Sequence, residues 1–327
     1  MSITTAPDTV LDDPRTESAI PPTPPTTQTA VATPPAPRPV SQRFSLRELF
    51  LAVRPHQWVK NALVLVAPIV TGAIVHPAAM LAALIATAAF CAASAATYLV
   101  NDIADVDADK LHPTKQLRPI AAGTLSIRHA RIAAVVIGCL AFGLAVDLGW
   151  LFLTVLAVYL AKTTLYSKRL KHIPVVDIAT VAIGFVLRVV AGAVAVGVGV
   201  SIWLLAAVWA GAVLISLGKR HAEVGRLGVD AGNHRAVLDW YRPARTTTMM
   251  IATQVIAVAT VGMWFLTTFG ITVAVIATVT VAMILERFRC LVLAGDVDDP
   301  VQVISHDCPI AIASVALGII LLVGVLL

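Results

Sequence analysis

The stretch AAMLAALIATAAFCAASAATYLVNDIADVDADKLHPTKQLRP, Ala78 to Pro119, runs from an uncharged apolar segment straight into four aspartates. Ala78 to Val100 is long enough for an α-helix to cross about 30 Å of hydrocarbon, so it reads as a membrane helix. If that helix continues, Asp102, Asp105 and Asp109 fall at i, i+3 and i+7 and line one stripe with Asn101 beside them. Asp107 points elsewhere. Carboxylates at that spacing repel unless a cation sits among them, and an oxygen-seeking Mg²⁺ holding a substrate's phosphates is the usual occupant.

The rest of the chain repeats the apolar pattern. Hydrophobic residues make up 58% and charged residues only 13% of the 327 residues, where soluble domains carry about a quarter charged. Nine membrane spans are expected: Trp58 to Val75, Ala78 to Val100, Ile127 to Val146, Trp150 to Leu165, Val175 to Val196, Ile202 to Leu217, Thr247 to Thr267, Ile271 to Leu285 and Pro309 to Leu327. The expected fold class is therefore an all-α, polytopic membrane helical bundle. Lys and Arg are retained on the cytoplasmic side, and every one outside the spans falls in alternate connectors if the N-terminus is inside. The expected topology is N-terminus in and C-terminus out, with all long connectors at the cytoplasmic face. The net charge of +5 then describes that face; without a zinc-finger, RRM or helix-turn-helix pattern it does not indicate a nucleic-acid partner.

Residues 1–42 are rich in Pro, Thr and Ala and read as a disordered cytoplasmic tail before a membrane domain over residues 43–327. The four cysteines, Cys91, Cys139, Cys290 and Cys308, are scattered, and read as unpaired small apolar residues. An EF-hand is excluded although Asp105, Asp107 and Asp109 match its opening, because Lys110 replaces the turn glycine and Gln116 the closing glutamate. No Walker A or dinucleotide glycine pattern occurs.

A cavity ringed by the long connectors would combine the acidic stripe with Arg54, Lys60, Lys115, Arg118, Lys168, Arg169, Lys171, Lys219 and Arg220, which suits a metal-bound polyphosphate clamped by cations. The plainer account of any one of these cations is the positive-inside rule. Arg188 is harder to dismiss, since it lies in mid-span, where charge is costly and faces the bundle interior. It follows Asp177 by eleven residues, about three turns, so a structural ion pair and a phosphate-binding arginine both remain open. Tyr166 at the end of the fourth span suits a membrane interface as well as a site, and Arg220 with Glu223 suits a surface ion pair.

Nine spans with N-D-x-x-D-x-x-x-D after the second (Asn101, Asp102, Asp105, Asp109) resemble the UbiA superfamily of intramembrane prenyltransferases over residues 43–327. Its aromatic prenyltransferases carry a second D-x-x-x-D motif after the fourth span, where this chain reads YSKRLKHIPVVD (Tyr166 to Asp177), with one acid and four basic residues. That departure, with RPHQWVKN (Arg54 to Asn61), HPTKQLRPIAAG (His112 to Gly123) and GKRHAE (Gly218 to Glu223), resembles an actinobacterial phosphoribosyltransferase branch of the superfamily. The resemblance implies a plasma-membrane, multi-pass enzyme with a cytoplasmic active site. It implies Mg²⁺-dependent transfer of a 5-phosphoribosyl group from phosphoribosyl pyrophosphate to a polyprenyl (decaprenyl) phosphate, feeding the decaprenylphosphoryl arabinose of cell-wall arabinan. In that scheme Asp102, Asp105 and Asp109 hold the metal, with Asp102, Asp105 and Tyr166 at the reacting centre. Lys60, Asn101, Lys115, Arg118, Lys171, Arg188 and Lys219 hold substrate. The partners are the two substrates and the bilayer, with a homo-oligomer left open. Two alternatives stand beside it: an aromatic prenyltransferase whose second acidic group comes from Asp296, Asp298 and Asp299, and a transporter.

Overall fold

The computed structural model describes residues 45–112, 114–228, 236–295 and 307–326, all within one unit, 38–327. The expected tail, and Asp296, Asp298 and Asp299, lie outside these residues. The described elements are helical: α1 (Leu46–Ala52), α2 (Val66–Val70), α3 (Pro77–Ala104), α4 (Val106–Leu111), α5 (Ile127–Val146), α6 (Trp150–Lys168), α7 (Val176–Val196), α8 (Ile202–Leu227), α9 (Pro243–Phe269), α10 (Ile271–Ala294) and α11 (Cys308–Leu326). Short 3₁₀ segments join several of them. Eight of them, α3 and α5 to α11, are long and apolar enough to cross a membrane. The helical membrane bundle is thus as expected.

The helix ends follow local chemistry. Pro77 opens α3 and Pro243 opens α9, where the missing N–H would have had no partner. The Ser126 hydroxyl accepts from the His129 N–H at the start of α5, and Gly197, at φ +70°, closes α7.

Small residues set the packing. Ala83, Ala86, Ala89, Ala93 and Ala96 form a buried face of α3, and Ala130, Ala134, Ala141 and Ala145 form the facing stripe of α5. In lipid, where apolar surface alone gives no drive to associate, such stripes let backbones approach closely. α7 touches α3, α6 and α8, α9 packs on α8 and α10, and α11 lies against α10. The outward faces stay apolar, with Ile132, Val135 and Val136 on α5 and Ile312, Val315 and Ile319 on α11 exposed. That pattern is what a lipid solvent permits.

The first expected span departs from the others. Pro55–Leu65 is a 3₁₀ helix of eleven residues, followed by the short α2 and a 3₁₀ turn at Ala73–Val75. Runs of 3₁₀ beyond three or four residues are uncommon. Pro55 and Pro68 each remove a donor and crowd the preceding turn, and Arg54 enters the segment in the left-handed region at φ 52°. Irregular backbone at membrane depth is tolerated where protein covers it, and α7 supplies the cover. A Cβ on Gly192 would stand 1.7 Å from the Val64 carbonyl oxygen, so the absent side chain is the space the segment fills.

Candidate active site

The acidic stripe keeps its phase through a break. α3 ends at Ala104 and α4 begins at Val106, with Asp105 between them at φ −97° and ψ 9°. The Asp105 N–H still donates to the Asn101 carbonyl at 2.9 Å, and the Asp109 N–H to the Asp105 carbonyl at 2.8 Å. Asp102 and Asp109 are consequently both buried on one side, Asp105 is half exposed, and the Asp107 side chain is 90% exposed, paired with Lys110.

Two arginines stand on that stripe. Arg118 reaches Asp109 at 2.6 Å and Asp102 at 3.2 Å, and Arg54 reaches Asp102 at 2.5 Å. Lys171, from the connector after α6, lies 4.0 Å from Asp105. Only Asp102 Oδ2 is buried without a hydrogen-bond partner among the described residues. No cluster of three His, Cys, Asp or Glu side chains able to close around a metal forms among the described residues. A closed cage is not needed for Mg²⁺, which usually takes one or two carboxylates and completes its shell with water and substrate phosphates. The hard oxygen donors of Asp102, with its spare Oδ2, and of Asp105, Asp109 and Asn101 fit that mode of binding.

Behind the stripe, a cavity of about 270 Å³ opens between α3, α6 and α7. Asn101 and Tyr166 lie toward its polar end, and Ser94, Tyr159 and Arg188 lie deeper along the same helices. Of the expected site residues, Lys60, Asn101, Tyr166 and Arg188 line it. Asp102, Asp105, Asp109, Arg118 and Lys171 form the charged group next along the chain from Asn101, joined by the ion pairs above, and neither they nor Lys115 and Lys219 belong to the cavity's lining.

Arg188 does not pair with Asp177. It is buried and donates to Asn61 Oδ1 at 2.8 Å, Tyr159 Oη at 2.9 Å and the Gly184 carbonyl at 2.8 Å, all neutral acceptors. The broken first span is what brings Asn61 to it. Asp177, fully buried at the start of α7, is instead held by Arg220 at 3.1 Å and by the Tyr241 hydroxyl. Burial and the neighbouring Asp177 push the Tyr241 phenol well above its usual range, which keeps it a donor. The same hydroxyl accepts the Val175 N–H at 2.8 Å, and Val175 is a β-branched residue at φ 67°, a strained conformation. Arg220 also pairs with Glu223 at 2.7 Å, as expected.

Sequence reasoning missed Lys162 and Tyr159. Lys162 lies in α6, its Nζ 5.3 Å from the Tyr159 ring centroid and 3.4 Å from the Thr180 carbonyl, while the Arg188 guanidinium lies 4.9 Å from the same centroid. The signal was available: a lysine within an apolar span carries the same cost as Arg188.

Residues 62–304 match the UbiA prenyltransferase family, and the chain belongs to that family. Among curated proteins it is 42% identical over 212 residues to the decaprenyl-phosphate phosphoribosyltransferase of Corynebacterium glutamicum, covering 63% of this chain and 64% of that one. It is 38% identical over 223 residues to the protein of that name in Mycolicibacterium smegmatis, covering 66% and 69%. The alignments thus span about two thirds of the length of these relatives. A UbiA homolog from Archaeoglobus fulgidus, solved with GPP and Mg²⁺, shares the fold at TM-score 0.59 and 20% identity, over 85% of this chain and 97% of that one. A digeranylgeranylglyceryl phosphate synthase shares it at TM-score 0.63 and 15% identity, over 86% and 97%. The chain is a multi-pass membrane protein of this family.

Proposed function

We propose that the chain transfers a 5-phosphoribosyl group from phosphoribosyl pyrophosphate to a polyprenyl phosphate, decaprenyl phosphate by the names of its relatives, and releases pyrophosphate. The observation that carries this reading is the second charged pole of the cavity: Arg188 and Lys162 face it with no carboxylate within salt-bridge distance among the described residues. A prenyl diphosphate with an aromatic acid acceptor has one phosphorylated group to place. A phosphoribosyl donor with a lipid phosphate acceptor has three phosphorylated groups to place.

Asp102, Asp105, Asp109 and Asn101 would hold Mg²⁺, which when bound neutralises the pyrophosphate and makes it a better leaving group. Arg118, Lys60 and Lys171 draw the pyrophosphate to the polar end of the cavity, with Lys115 and Lys219 adding to the field at its approach. As the bond from the anomeric carbon to the pyrophosphate oxygen breaks, the ribose becomes oxocarbenium-like. A lipid phosphate oxygen then forms the new bond from the opposite face. That oxygen is already anionic, so no strong general base is required, and Tyr166 orients the donor through its hydroxyl. The polyprenyl tail stays in the bilayer, which accounts for a phosphoribosyl transfer site built in a membrane bundle. The product serves cell-wall arabinan synthesis, and the site faces the cytoplasm of the plasma membrane with the N-terminus inside and residues 1–42 as a dispensable tail.

The aromatic prenyltransferase reading finds no second acidic pair from Tyr166 to Asp177, where Asp177, at the start of α7, is the lone acid and is already bonded to Arg220 and Tyr241. Membranes supplied with labelled phosphoribosyl pyrophosphate, Mg²⁺ and polyprenyl phosphate should form a labelled lipid. Label transfer instead from a prenyl diphosphate to an aromatic acid would reverse the assignment.

A further inference from the structure

The two poles of the cavity differ in depth. Ser94 at the floor precedes Asn101 at the mouth by seven residues of α3, about 10 Å along the helix, which is of the order of a ribose carrying phosphates at both ends. The floor is also closed. Beneath it, Val64, Phe90, Leu156, Tyr159 and Ala191 form one buried cluster, and the Val64 carbonyl occupies the place of a Gly192 side chain. A lipid phosphate seated at this dead end would fill the cavity with its own isoprene units and leave no room for the donor.

We infer that Lys162 and Arg188 form a phosphate-monoester subsite for the 5-phosphate of the sugar donor, and so fix which way round the donor lies. The inference rests on the phosphoribosyl-transfer reading and adds to it a residue and a direction. Arg188 has its donors partly engaged by Asn61, Tyr159 and Gly184, which locks its guanidinium in place. Lys162 has three donors and, among the described residues, one acceptor within hydrogen-bond distance, the Thr180 carbonyl at the long distance of 3.4 Å, so its ammonium keeps N–H groups for a ligand. Placing two cations beside one phenol ring, away from carboxylates, is unfavourable in an apolar surround, and a dianionic phosphate between them offsets that cost. Gly184 gives the ammonium its place on α7, since a Cβ there would stand 2.5 Å from Lys162 Nζ. The donor's pyrophosphate then falls at the Asp102 end, and its anomeric carbon lies between the poles.

The test uses the purified full-length enzyme in lipid nanodiscs, with phosphoribosyl pyrophosphate and decaprenyl phosphate varied separately and ribose 5-phosphate as an unreactive probe. For Lys162→Met the KM for phosphoribosyl pyrophosphate should rise about tenfold or more, with the KM for decaprenyl phosphate within about twofold of wild type. Ribose 5-phosphate should inhibit the wild type competitively against the sugar donor and lose about tenfold in potency on the variant. Lys162→Arg should retain most of the affinity. Gly184→Ala, which displaces the ammonium without removing charge, should shift the same KM in the same direction and serves if Lys162→Met fails to fold. A shift confined to the lipid KM, or wild-type values for both substrates in a folded Lys162→Met or Gly184→Ala protein, overturns the subsite. If the wild type turns over no phosphoribosyl pyrophosphate at all, the proposed function fails instead. Equilibrium dialysis of ribose 5-phosphate then judges the subsite alone, equal binding by wild type and variant overturning it.

Discussion

At the acidic stripe Asp102 meets Arg54 at 2.5 Å and Arg118 at 3.2 Å; at the cavity floor Arg188 meets an amide oxygen, a phenol and a backbone carbonyl. The stripe is internally neutralised, so a metal or a polyphosphate entering it must exchange partners with arginines already in place. The floor holds uncompensated positive charge and gains from an anion without surrendering an ion pair. One bundle thus contains a pole whose charges are already paired and a pole whose charges are held in place without a carboxylate partner among the described residues.

The comparison breaks most visibly at Asp102. Asp102→Asn keeps the side-chain volume but removes the charge that holds two arginines and the unpartnered oxygen, and turnover under saturating substrates should fall by about a thousandfold or more. Retained turnover would mean that the stripe only balances charge. Gly192→Ala attacks the floor from behind: with the Val64 carbonyl 1.7 Å from the added methyl, the first segment must shift and take Asn61 off Arg188. A loss of about 3 kcal/mol or more in stability should appear as a lowered thermal midpoint in detergent, with weakened sugar-donor affinity in whatever folds. An unchanged midpoint would show that the segment yields freely. Lys171→Ala should raise the KM for one anionic substrate by about tenfold, since it removes the cation facing Asp105, and leave the Mg²⁺ requirement nearly unchanged. Tyr241→Phe removes one of the two side-chain donors to buried Asp177 among the described residues and should cost about 1–3 kcal/mol in unfolding experiments, with little change in turnover of the folded protein. The smallest effect is expected from Asp107→Asn, on the exposed side of the same helical turn, within about twofold of wild type. Equal damage from the Asp107 and Asp102 changes would mean that helical phase does not select the acting carboxylates.

The helices α3 and α5 to α11 were legible because each is a long apolar run, and α5 begins and ends where its run does, at Ile127 and Val146. Pro55–Leu65 was not, since hydropathy cannot distinguish a 3₁₀ backbone from an α-helix. In the site, spacing alone separated Asp102 and Asp109 from the exposed Asp107, whereas Arg54 and Arg118 arrive from outside α3, at a distance along the chain that no local periodicity measures. The three-turn spacing of Asp177 and Arg188 suggested a pair, but lateral partners decided both: Arg220 and Tyr241 on one, Asn61 and Tyr159 on the other. Lys162 was legible by the same signal as Arg188, a cation inside an apolar span, and was passed over.

The eleven-residue 3₁₀ segment bears on how such chains are counted. At about 2.0 Å per residue it rises about 22 Å, where an α-helix of the same length would rise about 16 Å. A window that tallies amino acids therefore measures this stretch short, although a bilayer responds to thickness and not to residue number. Segments opened by Arg-Pro and interrupted by a second proline, as Arg54–Val70 is, need a ruler in ångströms.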